Sequence, residues 1–435
     1  MVIQSLLDSA QGGLVTLPNG VYDMPHSGRG YCLRIPAGTT LRGESRDGCI
    51  LRAAAGLPDS VQLLSVSAPD IRIERLTLDG NAANQTVSLH QQRHGVFAKQ
   101  APRCSIVDVT ARNFTGDGFY FYDGSDDPLV SNCLSTDNQR NGLTMGGGTT
   151  GGVFRNSQFV GNGAEQFDLE GGKPINGGTI TNCLFDTLGK SNDFVLTLTG
   201  HAWDIRSSGW TVTGCTVNGA VAIVWATDIV FANNTGVNAS NMPSVYVYRT
   251  CERILIHRNV LHTTGAAKMD GGSMVHIVGT NPLQSPGGVV VSENVLTTVQ
   301  PSYGVSAVCC RDVQILGNTI TGVPGQRYEC GVYVRTTREL EPVRSAIIER
   351  NEISGFSGYG VRLDGNGLAR IDRVEINGNT FRGGLAALNL NSGANEARDV
   401  TVSGNTTDGE SLIHPPAGEA VPWGDGKRWV MHDAT

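Results

Sequence analysis

Short runs in which apolar and polar residues alternate recur along this chain of 435 residues. Thr211-Val212-Thr213-Gly214 and Gly331-Val332-Tyr333-Val334-Arg335 are two of them. Alternation over about four to six residues is the mark of a strand with one face buried. Ile3 to Ala10 differs, with apolar residues at helical spacing that break off at Gly12-Gly13. The pattern predicts one short helix followed by many strands.

The strands return at a steady interval. An Asn precedes a short run at Asn132, Asn156, Asn182, Asn259, Asn294, Asn318, Asn351, Asn379 and Asn405, and successive members stand 24 to 28 residues apart except where a loop is inserted. A period of that size marks a stacked repeat. Short strands stacked at a fixed period predict an all-β, single-stranded, right-handed parallel β-helix of about 12–13 rungs around one apolar interior. Asn suits the corner of a rung, because its amide tolerates left-handed backbone angles and stacked amides satisfy one another. Cys133, Cys183 and Cys215 hold the same place in their rungs and are expected to stack inside as small apolar groups.

Composition adds constraints. Gly 57, charged residues at 17% and aromatics at 6% describe a turn-rich β protein with a small-residue core. A solenoid core grows in one dimension, so a single domain is expected despite the length. Its parts are a cap and first strands over 1–45, the β-helix over 46–410, and a C-terminal cap or tail over 411–435. The short N-terminal helix would cover the open first rung, and Trp423 and Trp429 the last. A net charge of −7 without a Lys/Arg cluster argues against a nucleic-acid partner. No run approaches the roughly 20 apolar residues needed to cross a bilayer, so no membrane partner is expected. Met1 to Ala10 lacks the basic start and long apolar stretch of a signal peptide. The ten Cys fit no zinc spacing and are expected as buried free thiols.

Parity assigns faces within each clean run. With Phe119 and Phe121 inward, Tyr120 and Tyr122 point out; with Phe167 and Leu169 inward, Asp168 and Glu170 point out. The same rule puts Tyr246 and Tyr248, Tyr333 and Arg335, and Arg362 and Asp364 outward, with Phe97, Lys99, Trp225 and His276 at the same place in other rungs. Stacked at roughly 4.8 Å per rung, these residues predict an exposed stripe rich in aromatic and charged groups, suited to sugar rings that turn a C–H face to an aromatic and hydroxyls to polar neighbours. Tyr120, Lys99, Trp225, Tyr246, Tyr248, Tyr333, Arg335 and Arg362 are the candidate substrate contacts, against the alternative that the aromatics shield cross-strand neighbours or lie under loops.

Asp168 and Glu170 are the candidate catalytic carboxylates. Alternate residues of a strand stand roughly 6.6 Å apart, a spacing compatible with either glycosidase geometry, and like charges that close raise one pKa, as a general acid requires. A solvated acidic edge, or a cation site with Asp193, is the competing reading. Lys173, Tyr122, Asp123 and His201 would lie near, with Tyr122 a third catalytic candidate. Asp123, Asp126 and Asp127 group hard oxygen ligands on one turn, as calcium would need, but an acidic turn without a ligand is the preferred reading, and no metal or other cofactor is expected.

The opening segments Gly13-Leu-Val-Thr-Leu-Pro-Asn-Gly-Val-Tyr22, Leu33-Arg-Ile-Pro-Ala-Gly-Thr-Thr-Leu-Arg-Gly43 and Leu76-Thr-Leu-Asp-Gly-Asn81 resemble the start of the pectate-lyase-like β-helix superfamily. That group includes polysaccharide lyases, mannuronan epimerases, polygalacturonases and phage tailspikes. Leu76 through Gly116-Asp-Gly-Phe-Tyr-Phe-Tyr122 is most similar to the epimerases, which carry Asp-Pro-His where this chain has Tyr120, Phe121 and Tyr122. The epimerase acid and imidazole are therefore not carried over, nor are the Gly-His-Gly and Arg-Ile-Lys signatures of polygalacturonases. The expectation is a phage tailspike or depolymerase type of protein that binds a polysaccharide and hydrolyses it with Asp168 and Glu170. It would act on a virion surface or outside the cell, as a homotrimer and with other tail proteins as partners. A non-catalytic receptor-binding tail protein, and a uronate lyase or epimerase using Tyr122 with Lys173 or Arg335, are the alternatives.

Overall fold

A computed structural model describes residues 2–86, 92–190, 194–265, 272–280, 284–300, 302–325, 329–336, 343–365, 371–392, 397–408, 413–414 and 429–432. The chain is a parallel β-solenoid of about 13 turns with one helix near the N-terminus. Its contacts divide it into two units, Met1–Asn218 and Gly219–Thr435.

In unit 1 a turn runs from one longer strand to two shorter ones that meet at a corner. Phe119–Tyr122 is followed by Leu129–Ser131 and Leu134–Thr136, with Asn132 at the bend between the last two. Asn132, Asn156 and Asn182 hold φ of 56, 50 and 54, the left-handed angles expected of a corner Asn. The residue after each bend points inward, and there Cys133, Ser157 and Cys183 stack. Cys133 N donates to Ser157 Oγ at 3.1 Å, and Cys183 N to Cys215 Sγ at 3.5 Å. All ten cysteines are free and buried.

Unit 2 solves the corner differently. The left-handed angle falls on Arg258, Glu293, Gly317, Arg350, Gly378 and Gly404, and the Asn that follows each of them points inward and is buried. Asn259, Asn294, Asn318, Asn351, Asn379 and Asn405 form a ladder in which each Oδ1 after the first accepts both the backbone N–H and the side-chain amide of the previous rung's Asn, at 2.9 to 3.0 Å. Each Nδ2 also donates to a strand carbonyl, as Asn318 does to Val291 O at 2.8 Å. The sequence reading joined two jobs in one residue: here the residue before the Asn makes the bend, and the Asn supplies the ladder.

The interior of unit 1 is more aromatic than the composition suggested. Phe119, Phe121, Phe154, Phe159, Phe167, Phe185 and Trp210 are buried, with Phe159 stacked on Phe185 at 5.5 Å and Phe154 edge-on to Phe167 at 5.0 Å. A low overall aromatic share hid their concentration inside. The core of unit 2 is mainly aliphatic, with Val245, Val275, Val289, Val291, Val305, Ile315 and Ile348 fully buried.

Helix α1 (Val2–Ala10) buries Ile3 and Leu7. Gln4 serves the open strand Tyr31–Ile35 by accepting from Arg34 N and donating to Arg34 O, both at 3.0 Å. The amide thus takes the place of a missing neighbour strand, as a cap must. Near the other end, Trp429–His432 pairs in parallel with Ala397–Ser403 and adds a strand beyond Asn405. Trp423 lies outside the described residues, as does Asp193. No helix among the described residues is long and apolar enough to cross a membrane.

Candidate functional site

The outward face of unit 1 is built on β1 (Val96–Lys99), β2 (Phe119–Tyr122), β3 (Leu143–Gly146), β4 (Phe167–Glu170) and β5 (Leu196–Thr199). The register sets Phe97, Tyr120, Thr144, Asp168 and Thr197 in one row. In the next row Lys99 stands beside Tyr122, and Gly146 beside Glu170. Parity placed these residues: Phe119, Phe121, Phe167 and Leu169 are fully buried, while Tyr120, Tyr122, Asp168 and Glu170 remain partly exposed.

Gly146 makes room in the second row. A Cβ there would meet Tyr122 Cδ2 at 2.4 Å and Tyr120 Cε2 at 3.0 Å, so both rings lean into the space that glycine leaves. Tyr120 and Tyr122 meet edge-on at 5.9 Å, and Lys99 Nζ lies 5.6 Å from the Tyr122 ring. Lys173 Nζ contacts Asp123 Oδ1 at 2.6 Å, which holds that carboxyl below its usual range. Asp126 Oδ1 accepts from Thr150 N and Oγ1, both at 2.8 Å. Among the described residues no cluster of three His, Cys, Asp or Glu side chains is arranged to hold a metal. His201 is exposed and packs against Gly171, where a Cβ would meet His201 Cβ at 2.7 Å.

The carboxylates sit over a polar ladder that the sequence reading missed. At or just before the start of successive strands, Gln62, His94, Asp117 and Asn141 each accept the backbone N–H of the following rung's counterpart. The bonds run from His94 N to Gln62 Oε1 at 2.8 Å, Asp117 N to His94 Nδ1 at 2.9 Å, Asn141 N to Asp117 Oδ1 at 2.9 Å and Glu165 N to Asn141 Oδ1 at 3.0 Å. Nδ1 of His94 is thereby an acceptor, and its Nε2–H faces Gln92 Oε1 at 3.1 Å. Burial lowers the His94 pKa to about 3, so the ring is neutral.

Two consecutive residues tie this ladder to the outward carboxylates. Arg140 donates from Nη1 to Asp117 Oδ2 at 2.8 Å and from Nη2 to Glu170 Oε2 at 2.7 Å. Tyr120 OH donates to the same Glu170 oxygen at 3.2 Å. Asn141 Nδ2 donates to Thr144 Oγ1 at 2.9 Å and lies 3.4 Å from Asp168 Oδ2, while Thr197 Oγ1 donates to Asp168 Oδ1. Asp117 is wholly buried, and burial pushes it up to about 7 although Arg140, Asn141 N and Thr144 favour its charged form. Burial raises Asp168 to about 7 as well, helped by Glu165 and Glu170 and opposed by the Thr197 hydrogen bond. Two carboxyls on one strand thus stand in different surroundings: Asp168 is recessed, and Glu170 is bound to a guanidinium.

Unit 2 carries its own outward row on β6 (Val221–Val224), β7 (Val245–Tyr248), β8 (Ser273–Val278), β9 (Tyr303–Val308), β10 (Cys330–Arg335) and β11 (Tyr359–Asp364). Ala222, Tyr246, His276, Ser306, Tyr333 and Arg362 follow one another in register. The expectation that Tyr246, Tyr333 and His276 form exposed platforms is corrected here: they are 6%, 5% and 0% exposed. Parity fixes the face of a side chain but not its cover. Tyr246 is stacked between Tyr248 at 5.0 Å and His276 at 5.7 Å, and Tyr333 lies against Tyr303 at 4.6 Å, under Arg362 at 5.4 Å, with its OH on Asp364 Oδ2 at 2.8 Å. Tyr248, Arg335 and Arg362 stay partly exposed, and Arg335 is in register with Asp364. Trp225 is not within a strand but at the corner after β6, with φ 47.

The family model described as "Right handed beta helix region" matches residues 65–187, within unit 1. With the solenoid described above, this gives the chain the fold of a right-handed parallel β-helix. Among solved structures, the bacteriophage phi29 gene product 12 in its pre-mature form shares the fold at 14% identity, over 93% of this chain and 70% of that one, with a TM-score of 0.53. The A-module of the Azotobacter vinelandii mannuronan C-5 epimerase AlgE6 aligns at 18% identity over 93% of each chain, with a TM-score of 0.43. The catalytic domain of a GH87 alpha-1,3-glucanase aligns at 14% identity over 100% of this chain and 66% of that one, with a TM-score of 0.44. Comparison with curated proteins gives no match.

Proposed function

We propose that unit 1 binds a polysaccharide over β1 to β5 and hydrolyses a glycosidic bond there. The carrying observation is the divided environment of Asp168 and Glu170. Burial and two neighbouring carboxylates raise Asp168 to about 7, which suits a proton donor to the leaving oxygen. Arg140 and Tyr120 both donate to Glu170, the partner that takes the proton of an attacking water or itself attacks the sugar carbon. Tyr120 and Tyr122, opened up by Gly146, offer ring edges and faces to the sugar.

A lyase working through Tyr122 and Lys173 is disfavoured, because the Lys173 ammonium is already engaged by Asp123 at 2.6 Å. Assembly in a reducing compartment suits ten free thiols. Together with the bacteriophage protein of like fold, this supports a phage depolymerase that acts at a virion surface or outside the cell, as a homotrimer alongside other tail proteins. Asp168→Asn and Glu170→Gln test the chemistry. Each is expected to abolish cleavage and leave glycan binding intact, and full activity in both would remove the assignment.

A further inference from the structure

We infer that unit 2 carries a separate binding site, formed by Trp225, Tyr248 and Arg249, for a sugar ring that bears an anionic substituent. Trp225 follows β6 and Arg249 follows β7, and the pairing of Val224 with Tyr248 sets them at the same corner of consecutive turns. Both hold left-handed backbone, φ 47 and 64, as other corner residues of this unit do. The Arg249 guanidinium lies 4.2 Å from the Trp225 ring centre and 4.9 Å from that of Tyr248. All three residues are partly exposed.

Arg249 lacks an acid among the described residues. Three other outward arginines of this unit are paired, Arg253 with Asp228 at 2.6 Å, Arg258 with Glu293 at 2.8 Å and Arg311 with Glu252 at 2.7 Å. Among the described residues Arg249 has no carboxylate partner, and its Nε and the neighbouring Trp225 Nε1 are buried without an acceptor. Buried donors without acceptors are rare and call for an explanation. A guanidinium placed over aromatic rings offers a planar, two-pronged hydrogen bond to an oxyanion, and the adjoining rings receive the C–H face of the sugar. A carboxylate and a sulfate ester share this chemistry. The site lies outside the carboxylate cluster of unit 1 and needs no catalysis, so it stands independently of the cleavage reading.

Isothermal titration calorimetry at low salt tests it, with hexagalacturonate, a sulfated carrageenan oligosaccharide, maltohexaose and sodium sulfate as probes. The wild-type protein is expected to bind at least one of the two anionic oligosaccharides at least tenfold more tightly than maltohexaose, and the tighter of the two names the substituent. Arg249→Gln should weaken that binding at least tenfold and leave maltohexaose unaffected, with Arg249→Lys in between. Trp225→Phe, read by loss of the ligand-induced change in tryptophan fluorescence, serves if the arginine variants do not fold. No binding of either anionic oligosaccharide, equal binding of neutral and anionic ones, sodium sulfate binding as tightly as the oligosaccharides, or unchanged affinity in Arg249→Gln would each overturn the site. Arg249-dependent binding without any glycan cleavage would count only against the unit 1 reading.

Discussion

Arg140 joins the outward Glu170 to the buried Asp117, with Nη2 2.7 Å from Glu170 Oε2 and Nη1 2.8 Å from Asp117 Oδ2. One planar guanidinium spans the two carboxylates, a geometry that a lysine ammonium does not reproduce. Arg140→Lys is therefore expected to lower kcat by about 10- to 100-fold, the loss of one charge-assisted hydrogen bond of about 1.5–3 kcal/mol, with a smaller change in KM. Steady-state kinetics on the wild type and variant check this; an unchanged kcat would show that Glu170 needs no such support.

Asp168 gives the reaction a pH limit. A donor raised to about 7 is protonated below that pH and ionised above it, so the rate should fall as pH rises through about 7. The same shift acts on stability. Because the folded carboxyl binds its proton more tightly than the unfolded one, its contribution is complete below the ordinary carboxylate range and is lost as pH rises through about 7. Asp168→Asn should accordingly melt with less pH dependence between pH 5 and 8 than the wild type, as read by calorimetry.

Gly146 is a steric test of the aromatic surface. The Cβ of Gly146→Ala would lie 2.4 Å from Tyr122 Cδ2, so the ring must move. A cost of about 1–3 kcal/mol is expected, together with weaker glycan binding. Chemical denaturation and calorimetric titration read the two effects separately.

The unit 2 ladder predicts where stability is concentrated. Asn318 Oδ1 accepts from Asn294 N and Nδ2 at 3.0 and 2.9 Å, all in the interior. Asn318→Ala leaves two buried donors without an acceptor and should destabilise the protein by about 2–5 kcal/mol, seen as a lower midpoint in denaturant. An exposed Asn substituted in the same way should change little.

The period and parity of the chain were enough to place Phe119, Phe121, Phe167 and Leu169 inside and to bring Asp168 and Glu170 onto one outward face. The polar ladder was also within reach, since His94, Asp117, Asn141 and Glu165 stand 23, 24 and 24 residues apart, each one turn on from the last. It went unread because these residues precede the strands, where alternation gives no signal and Gly116-Asp117-Gly118 looks like an ordinary turn. Arg140 was missed for the same reason: its partners at Asp117 and Glu170 are neighbours only through stacking. The burial of Tyr246 and Tyr333 depends on what their neighbours cover, and neither parity nor composition carries that information.

The central claim is glycosidic cleavage by Asp168 and Glu170, and product analysis on a panel of capsular, lipopolysaccharide and uronate polymers tests it most directly. Chain length and ultraviolet absorbance would be followed together for the wild type, Asp168→Asn and Glu170→Gln. Shortening of one polymer without new absorbance, lost in both variants, is the predicted result. Shortening with absorbance would mark an eliminating enzyme, and binding without any shortening would mark an adhesin; either would contradict the account.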